Sequence, residues 1–236
     1  MTAGAILLCA GRGERLRAAT DKALVPLAGR PLFTWSLEAL ERAKAVESIV
    51  VVGPVARLQT ALAGSGIVAS KVVAWCEGGP TRQDSVRLGL VVLPGSSTLV
   101  AVHDSARALV TSEVIQRCIA DAMTHGATIA AIPVEDTVKR VRLGVIEDTV
   151  PRSLLWRAQT PQVFRRDWLA AGHAAVPPPR PGARPAPATD DAALVEALGH
   201  GVHITEGDPI NFKITTPADL ELAEAWIQAR TGGGVR

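Results

Sequence analysis

The sequence predicts an α/β fold in which a mostly parallel sheet is covered by helices on both faces. The first observation is that short apolar runs of strand length alternate with segments of helical periodicity between residues 5 and 132. The second is that these runs are continuously apolar, which is typical of strands buried on both faces. A sheet of this kind is Rossmann-like, and ligands bind beyond the carboxyl ends of its strands. The polar residues that follow each strand are therefore the first candidates for a functional site.

The elements of the first 133 residues follow from local pattern. Gly53-Pro54 ends the second strand and Pro133 ends the fifth, while Pro31 suits the start of a helix. Ser112 predicts the N-cap of the helix before the fifth strand. The predicted strands cover residues 5–10, 48–52, 72–75, 98–102 and 127–132, and the predicted helices cover residues 31–40, 55–62, 81–92 and 112–125.

The alternation of strands and helices stops after residue 137. Residues 138–150 predict a β-hairpin that turns near Leu143-Gly144, as the centre of an arm over about 137–155. Because an isolated hairpin is marginal, we expect this arm to pack on a second subunit, with packing on its own domain as the alternative. Six prolines in residues 175–189 predict an exposed loop. A helix over 191–198, a strand over 203–206 and a helix over 217–228 complete one domain, residues 1–236.

Composition excludes several classes of function. The chain has 236 residues, of which 47% are hydrophobic, and a net charge of +2. With 3% aromatic residues and no basic block, it offers no platform for nucleic acid, so small anionic ligands are favoured. Cys9, Cys76 and Cys118 are far apart in apolar segments, which is typical of unpaired core cysteines. Without a signal peptide or an apolar run that could span a membrane, we expect a soluble, cytoplasmic protein.

The first strand runs into a phosphate-binding type of loop. Gly11 and Gly13 let backbone N–H groups approach an anion, and Arg15 and Lys22 add positive charge. The loop is not a Walker loop, because Leu16 stands where the second glycine of that motif is required. The same leucine excludes the dinucleotide fingerprint. A simple strand-to-loop turn with incidental surface cations is the alternative.

The loop resembles a signature of nucleoside-triphosphate transferases, A-G-x-G-x-R followed by a lysine. Other polar stretches extend the likeness, namely 103–107 (His-Asp-Ser-Ala-Arg), 160–162 (Thr-Pro-Gln), 189–192 (Thr-Asp-Asp-Ala) and 211–215 (Asn-Phe-Lys-Ile-Thr). In this order, the set resembles the 2-C-methyl-D-erythritol 4-phosphate cytidylyltransferases of the non-mevalonate isoprenoid pathway. The resemblance implies a nucleotidyltransferase-type fold, a reaction between CTP and a sugar-alcohol phosphate, and Mg²⁺ as cofactor. It also implies a homodimer whose arms complete the partner's sites.

The resemblance also implies roles for individual residues. Catalysis would fall to three cations, Arg15, Lys22 and Lys213. Nucleotide binding would involve Ala10, Gly11, Gly13, Gly79, Arg82, Ser85 and Asp104. Acceptor binding would involve Arg107, Thr137, Arg152, Thr160, Thr189 and Lys213. Metal binding would involve Asp104 and Asp208.

The sequence is compatible with several alternatives. Asp104 and Asp208 could instead make loop-end hydrogen bonds, and Ser85 could be an ordinary helix-face residue. His103 has no evident chemical task, so we expect it to be hydrogen-bonded in the core. Ribitol-5-phosphate cytidylyltransferase is the nearest rival function. A sugar-1-phosphate uridylyltransferase and a non-catalytic nucleotide sensor are further alternatives, and an interaction module has the least support.

Overall fold

The computed structural model describes residues 3–11, 13–16, 20–175 and 190–232. The strands are β1 (Ala3–Leu8), β2 (Pro26–Leu27), β3 (Arg30–Pro31), β4 (Val46–Val52), β5 (Val72–Cys76), β6 (Leu99–Asp104), β7 (Ala127–Pro133), β8 (Val138–Arg142), β9 (Val145–Val150), β10 (Trp156–Arg165) and β11 (His203–Glu206). The helices are α1 (Leu32–Arg42), α2 (Val55–Ala63), α3 (Arg82–Val92), α4 (Ser112–His125), α5 (Arg166–Ala175), α6 (Ala192–Glu196) and α7 (Pro217–Gly232). Within these ranges, no helix is both long and apolar enough to cross a bilayer.

Seven strands form one sheet in the order β11-β7-β10-β6-β1-β4-β5. β1 pairs in parallel with β4 and β6, β4 with β5, and β7 with β11. β10 runs antiparallel to both of its neighbours, β6 and β7. The predicted mostly parallel sheet is therefore confirmed.

Alternate side chains of β1 enter two separate cores. Ala5 and Leu7 belong to the cluster that α1 and α4 cover, whereas Ile6 and Leu8 belong to the cluster beneath α3, α5 and α6. Because successive strand residues point to opposite faces, an all-apolar strand is the requirement for a sheet with helices on both sides. The predicted cover on both faces is confirmed. A third cluster joins α7 to the segment around Leu27 and Leu32.

β10 and α5 form from a segment whose local pattern predicts no strand or helix. β10 lies between β6 and β7, in the interior of the sheet, although it contains Pro161 and two glutamines. Gln159 and Gln162 are buried because they bond to Asp208 and to residues 190–191, which are distant in sequence. Because the segment is polar, its sequence does not show the apolar pattern that predicts an interior strand. α5 ends at Ala175, and the rest of the predicted proline-rich loop, 176–189, lies outside the described residues.

Some predicted details need correction. β1 covers Ala3–Leu8 instead of residues 5–10, so that Cys9 and Ala10 belong to the loop that follows it. β6 continues to Asp104, two residues beyond the predicted end at Val102. The N-cap of α4 is Thr111, whose hydroxyl accepts a hydrogen bond from the Val114 amide, while the Ser112 hydroxyl donates to Glu113. Threonine and serine both cap helices by this bond, so the sequence alone does not select between adjacent candidates.

β8 and β9 form the predicted hairpin, separate from the main sheet. Leu143 and Gly144 have φ values of +51° and +82°, which confirms the turn at this pair. Every residue from Lys139 to Thr149 is exposed, so the hairpin protrudes as an arm.

Candidate active site

A cavity of about 440 Å³ lies beyond the carboxyl ends of β1 and β6. Its walls come from the loop after β1, the segment from Gly79 to the first turns of α3, the end of β6, and the segment 213–215. Ten of the residues predicted from the sequence line it together: Ala10, Gly11, Gly13, Arg15, Lys22, Gly79, Arg82, Ser85, Asp104 and Lys213. Ser105 and Thr215 also line it, and neither is among the residues predicted from the sequence.

The loop after β1 folds back on itself and presents Lys22 to the cavity. The Lys22 amide donates to the Gly11 carbonyl at 3.1 Å, and the Leu16 amide donates to Gly13 at 2.8 Å. Gly13 has a φ of +69°, and a Cβ at this position would lie 3.3 Å from the Lys22 Cα. Both the dihedral and the close approach require glycine. The glycines therefore place the lysine as well as opening the loop to an anion.

The second glycine turn packs against the first loop. A Cβ on Gly78 would lie 2.3 Å from the Ala10 Cβ, and one on Gly79 would lie 2.3 Å from the Asp84 Cβ. The Ser85 hydroxyl accepts from the Gly79 amide at 3.1 Å and donates to the Thr81 carbonyl at 3.0 Å. Ser85 therefore lies at the cavity and holds the shape of this turn.

Asp104 ends β6 between two cations. Its Oδ1 lies 3.2 Å from Nε of Arg82, and its Oδ2 lies 2.6 Å from Nζ of Lys213. Burial alone would raise the pKa of this carboxyl, but Arg82 and Lys213 outweigh burial and hold the pKa well below its usual range. Asp104 is therefore an anion in the ligand-free site.

The charge of the cavity is strongly unbalanced. Four cations line it, whereas Asp104 is the single carboxylate among the described lining residues. Burial, followed by the neighbouring charge of Lys213, lowers the pKa of Lys22 to about 8, and Arg15 acts in the same direction. A cation surrounded by cations is stabilised when a polyanion enters. The cavity is suited to a ligand that carries several negative charges.

Arg107 and Thr160, two of the predicted acceptor-binding residues, lie outside this lining. Arg107 donates to the carbonyls of Asn211 and Ala158, and so joins the end of β6 to two other segments. Thr160 is buried, and its hydroxyl accepts from the Asp104 amide at 3.1 Å and bonds to Nδ1 of His103 at 3.0 Å. His103 is fully buried, and burial lowers its pKa to about 4, so it is a hydrogen-bonded core residue as expected.

Asp208 does not line the cavity, in contrast to its prediction as a metal ligand. Its Oδ1 accepts from the Ile210 amide at 2.9 Å, and its main chain bonds to the Gln159 side chain. This is the loop-end bonding that carboxylates commonly make, which is the alternative to metal binding for Asp208. Thr189, predicted to bind the acceptor, lies outside the described residues.

Thr137 and Arg152 lie at the base of the arm, on either side of the β8–β9 pair. Both are exposed, and neither lines the cavity of its own chain. Arg152 donates to the Glu135 carbonyl, which fixes the two chain ends of the arm against each other. The structure of one chain therefore keeps these two residues apart from the cation cluster.

The cavity residues fit one divalent metal ion that takes most of its oxygen ligands from a bound phosphate compound. Mg²⁺ is commonly bound by one or two carboxylates together with substrate phosphates, rather than by an all-protein cage. Asp104 is ionised, reaches the cavity and supplies two oxygens. Among the described residues, no group of three or more histidine, cysteine or acidic side chains is placed to hold a metal. Any metal here would need oxygens from a bound phosphate.

Comparison with known proteins identifies the family. A sequence model described as 2-C-methyl-D-erythritol 4-phosphate cytidylyltransferase matches residues 3–229. The chain belongs to this family. A protein of that name from Synechococcus sp. (strain WH7803) is 44% identical over 226 residues, which cover 95% of this chain and 99% of that protein. One from Prochlorococcus marinus (strain MIT 9313) is 43% identical, with 95% and 98% covered.

Solved structures agree with this membership. The 2-C-methyl-D-erythritol 4-phosphate cytidylyltransferase of Thermus thermophilus is 34% identical, with a TM-score of 0.73 over 95% of this chain and 98% of that one. A 4-diphosphocytidyl-2C-methyl-D-erythritol synthase from Anaerococcus prevotii is 26% identical, with a TM-score of 0.79 over 96% and 98%. The fold is that of a nucleotidyltransferase, and the chain is an enzyme of this class.

Proposed function

We propose that this chain transfers the cytidylyl group of CTP to 2-C-methyl-D-erythritol 4-phosphate. The products are pyrophosphate and 4-diphosphocytidyl-2-C-methyl-D-erythritol, an intermediate of isoprenoid precursor synthesis. The observation that carries this proposal is the convergence of Arg15, Lys22 and Lys213 on one cavity, in a chain of this family. A triphosphate and a phosphate monoester are both polyanions, so their reaction requires such a cluster.

The reaction joins an oxygen of the acceptor phosphate to the α-phosphorus of CTP. The bond from that phosphorus to the bridging oxygen of the β-phosphate breaks, and pyrophosphate leaves with the electron pair. The second pKa of a phosphate monoester is about 6, so the nucleophile is already ionised at neutral pH and needs no general base. The barrier is charge repulsion, and Arg15, Lys22 and Lys213 would stabilise the negative charge around the α-phosphorus.

We assign Mg²⁺ to Asp104. The ion would be bound by a carboxylate oxygen and by oxygens of the triphosphate, and when bound it would neutralise phosphate charge. Lys213, whose Nζ lies 2.6 Å from Oδ2 of Asp104 in the ligand-free protein, would serve the attacking phosphate.

We assign recognition of the cytosine to the backbone at the two glycine turns. Ala10 and Gly11 belong to one turn, and Gly79 belongs to the other. Cytosine presents an amino donor and carbonyl acceptor, which main-chain carbonyl and amide groups can match. Ser85 supports this set by fixing the Gly79 amide. Arg82 lines the cavity beside this turn, and we assign it to the phosphates of the nucleotide.

We further infer that the enzyme is a homodimer of single-domain subunits, with Thr137 and Arg152 serving the acceptor pocket of the partner. The arm carries exposed Val141, Leu143 and Ile146, and Leu143 is 96% exposed at its tip. A large apolar side chain fully exposed at the tip of an arm is typical of a surface that contacts a partner. Free cysteines are compatible with the reducing cytoplasm.

A pyrophosphate-release assay tests this function. Wild-type protein is supplied with Mg²⁺ and either CTP or UTP, and with 2-C-methyl-D-erythritol 4-phosphate or ribitol 5-phosphate. We expect turnover with CTP and the methylerythritol acceptor to exceed every other combination. A preference for ribitol 5-phosphate or for UTP would replace our assignment by the corresponding rival. CTP binding without pyrophosphate release from any acceptor would indicate a nucleotide sensor.

A further inference from the structure

On its side away from the cavity, Arg82 is paired with Asp191, a carboxylate that does not line the cavity. Its Nη1 lies 2.6 Å from Oδ2 of Asp191, while its Nε reaches Asp104 on the cavity side. Asp191 is fully buried at the start of α6, and its other oxygen lies 3.0 Å from Nε2 of His173 on α5. Arg82 thus bridges the cavity to the core beneath α5 and α6.

Asp191 occupies the N-cap position of α6 without capping the helix through its side chain. Its neighbour Asp190 performs that task, because Oδ1 of Asp190 accepts from the Ala193 amide at 3.1 Å. Gln162 aligns both residues, accepting from the Asp191 amide and donating to Oδ2 of Asp190. The carboxylate of Asp191 is therefore directed to Arg82 and His173 instead of to the helix end, where it would ordinarily be used.

A ligand in the cavity can reach one partner of Arg82, Asp104, but not the other, Asp191. Asp104 lines the cavity and is shared with Lys213, so a metal ion or a phosphate group would compete for it. Asp191 has no exposed side-chain surface, and ligands cannot displace it. Burial alone would lower the pKa of Arg82, whereas the carboxylates of Asp191 and Asp104 raise it. A buried carboxylate without Arg82 would be costly, so the pairing is strongly favoured.

We propose that Asp191 is a positioning residue for nucleotide binding, which fixes the Arg82 guanidinium at the cavity wall when ligands take over Asp104. Arg82 then meets the triphosphate already oriented, and less side-chain freedom is lost on binding. This inference rests on the proposed function, because it gives Arg82 a nucleotide phosphate to bind. His173 contributes by holding the second oxygen of Asp191.

A double-mutant cycle on CTP binding, measured by titration calorimetry, tests the inference. Asp191→Asn keeps the size of the side chain and removes its charge, and we expect it to weaken CTP binding about 10-fold, the value of one charge-assisted hydrogen bond. In the Arg82→Gln background, the same change should alter the CTP affinity less than about twofold, because its effect passes through Arg82. An equal loss in both backgrounds would overturn the proposal.

Asp190→Asn is the matched control, since it changes the adjacent carboxylate, which bonds to Gln162 and Ala193 and not to Arg82. We expect its CTP affinity to stay within about twofold of wild type. A loss as large as that of Asp191→Asn would show that general disturbance of α6 is the cause and would overturn the proposal. In steady-state turnover, Asp191→Asn should raise the KM for CTP and leave the KM for the acceptor unchanged.

If Asp191→Asn does not fold, ¹⁵N NMR of the Arg82 guanidinium in the wild-type protein replaces it. Slow rotation of the Nη1 end in the CTP complex supports the proposal, and fast rotation of both ends overturns it.

The binding cycle also separates this inference from the proposed function. Wild-type protein that binds CTP but transfers nothing to any acceptor would refute the function, while the coupling between Asp191 and Arg82 would still be measured.

Discussion

Nζ of Lys213 lies 2.6 Å from Oδ2 of Asp104, although 109 residues separate the two in the chain. The neighbouring Ile214 amide donates to the Ala106 carbonyl at 2.8 Å, which anchors the Lys213 segment beside the end of β6. Asp219 secures the other side of the segment, accepting from the amides of Thr215 and Thr216. A cation assigned to catalysis is thus held in the ligand-free protein by the carboxylate assigned to the metal.

Removing either lysine should abolish most of the activity. Lys22→Ala and Lys213→Ala are each expected to lower kcat/KM at least ~100-fold, because a preplaced charge at a transition state contributes several kcal/mol. Pyrophosphate release measures the effect, and thermal unfolding checks that the fold is intact. Lys44→Ala, at an exposed lysine outside the cavity lining, is the matched control. Near-normal turnover of either cavity variant would count against the mechanism.

The two aspartates predicted as metal ligands should respond differently to substitution. Asp104→Asn is expected to raise the Mg²⁺ concentration for half-maximal activity about 10-fold or more, because it removes the one carboxylate among the described lining residues of the cavity. Asp208→Asn should leave this concentration unchanged, because Asp208 bonds within its own loop. A Mg²⁺ titration of both variants measures the difference. An equal shift in the two variants would contradict the placement of the metal.

CTP binding should take up a proton at mildly alkaline pH. In the free protein the pKa of Lys22 is lowered to about 8, from 10.5, so this lysine loses its proton as the pH rises through about 8. The charge of the triphosphate favours the protonated form and raises the pKa again, so Lys22 binds a proton between the two pKa values. Correspondingly, kcat/KM for CTP should fall as the pH rises through about 8.

Titration calorimetry at a pH of about 8.5 in two buffers of different ionisation enthalpy measures this uptake. Lys22→Met is the control and should reduce the uptake, because methionine keeps an unbranched side chain without a titratable group. Equal uptake in wild type and Lys22→Met would assign the proton to another group and contradict this prediction.

A charge at the tip of the arm should separate the subunits and reduce turnover together. Leu143→Asp places a carboxylate where the proposed dimer buries an apolar side chain, so we expect a shift towards monomer in sedimentation velocity. Leu222→Asp changes another exposed leucine, on α7, and should preserve both the dimer and the activity. A fully active Leu143→Asp monomer would refute the shared acceptor site.

The sequence predicts those parts of the fold that are determined by residues close together in the chain. The buried strands of the parallel sheet and the amphipathic helices are visible as apolar runs and periodic segments, and Leu143-Gly144 identifies its own turn. β10 is different, because Gln159 and Gln162 become buried only when distant segments satisfy their amides. A polar segment that contains a proline gives no local sign of an interior strand.

The same distinction applies to the site. Gly11, Gly13 and the nearby cations are recognisable because the loop after a buried strand is a local motif, and the structure brings them to one cavity. Arg107 and Asp208 lie in equally polar stretches, yet neither lines the cavity: Arg107 joins the end of β6 to two other segments, and the Asp208 side chain bonds within its own loop. Asp191 lies in a stretch that carries the family resemblance, but its partner Arg82 is known only from the fold.

The most direct test of the central claim is a crystal structure of the protein with CTP and Mg²⁺, in which the distances from the α-phosphate to the three catalytic cations are measured. We predict the α-phosphate oxygens within about 3.5 Å of donor atoms of Arg15 and Lys22, with Lys213 facing the open side of the phosphorus. A triphosphate bound elsewhere, or bound here with its α-phosphate out of reach of these cations, would contradict the account.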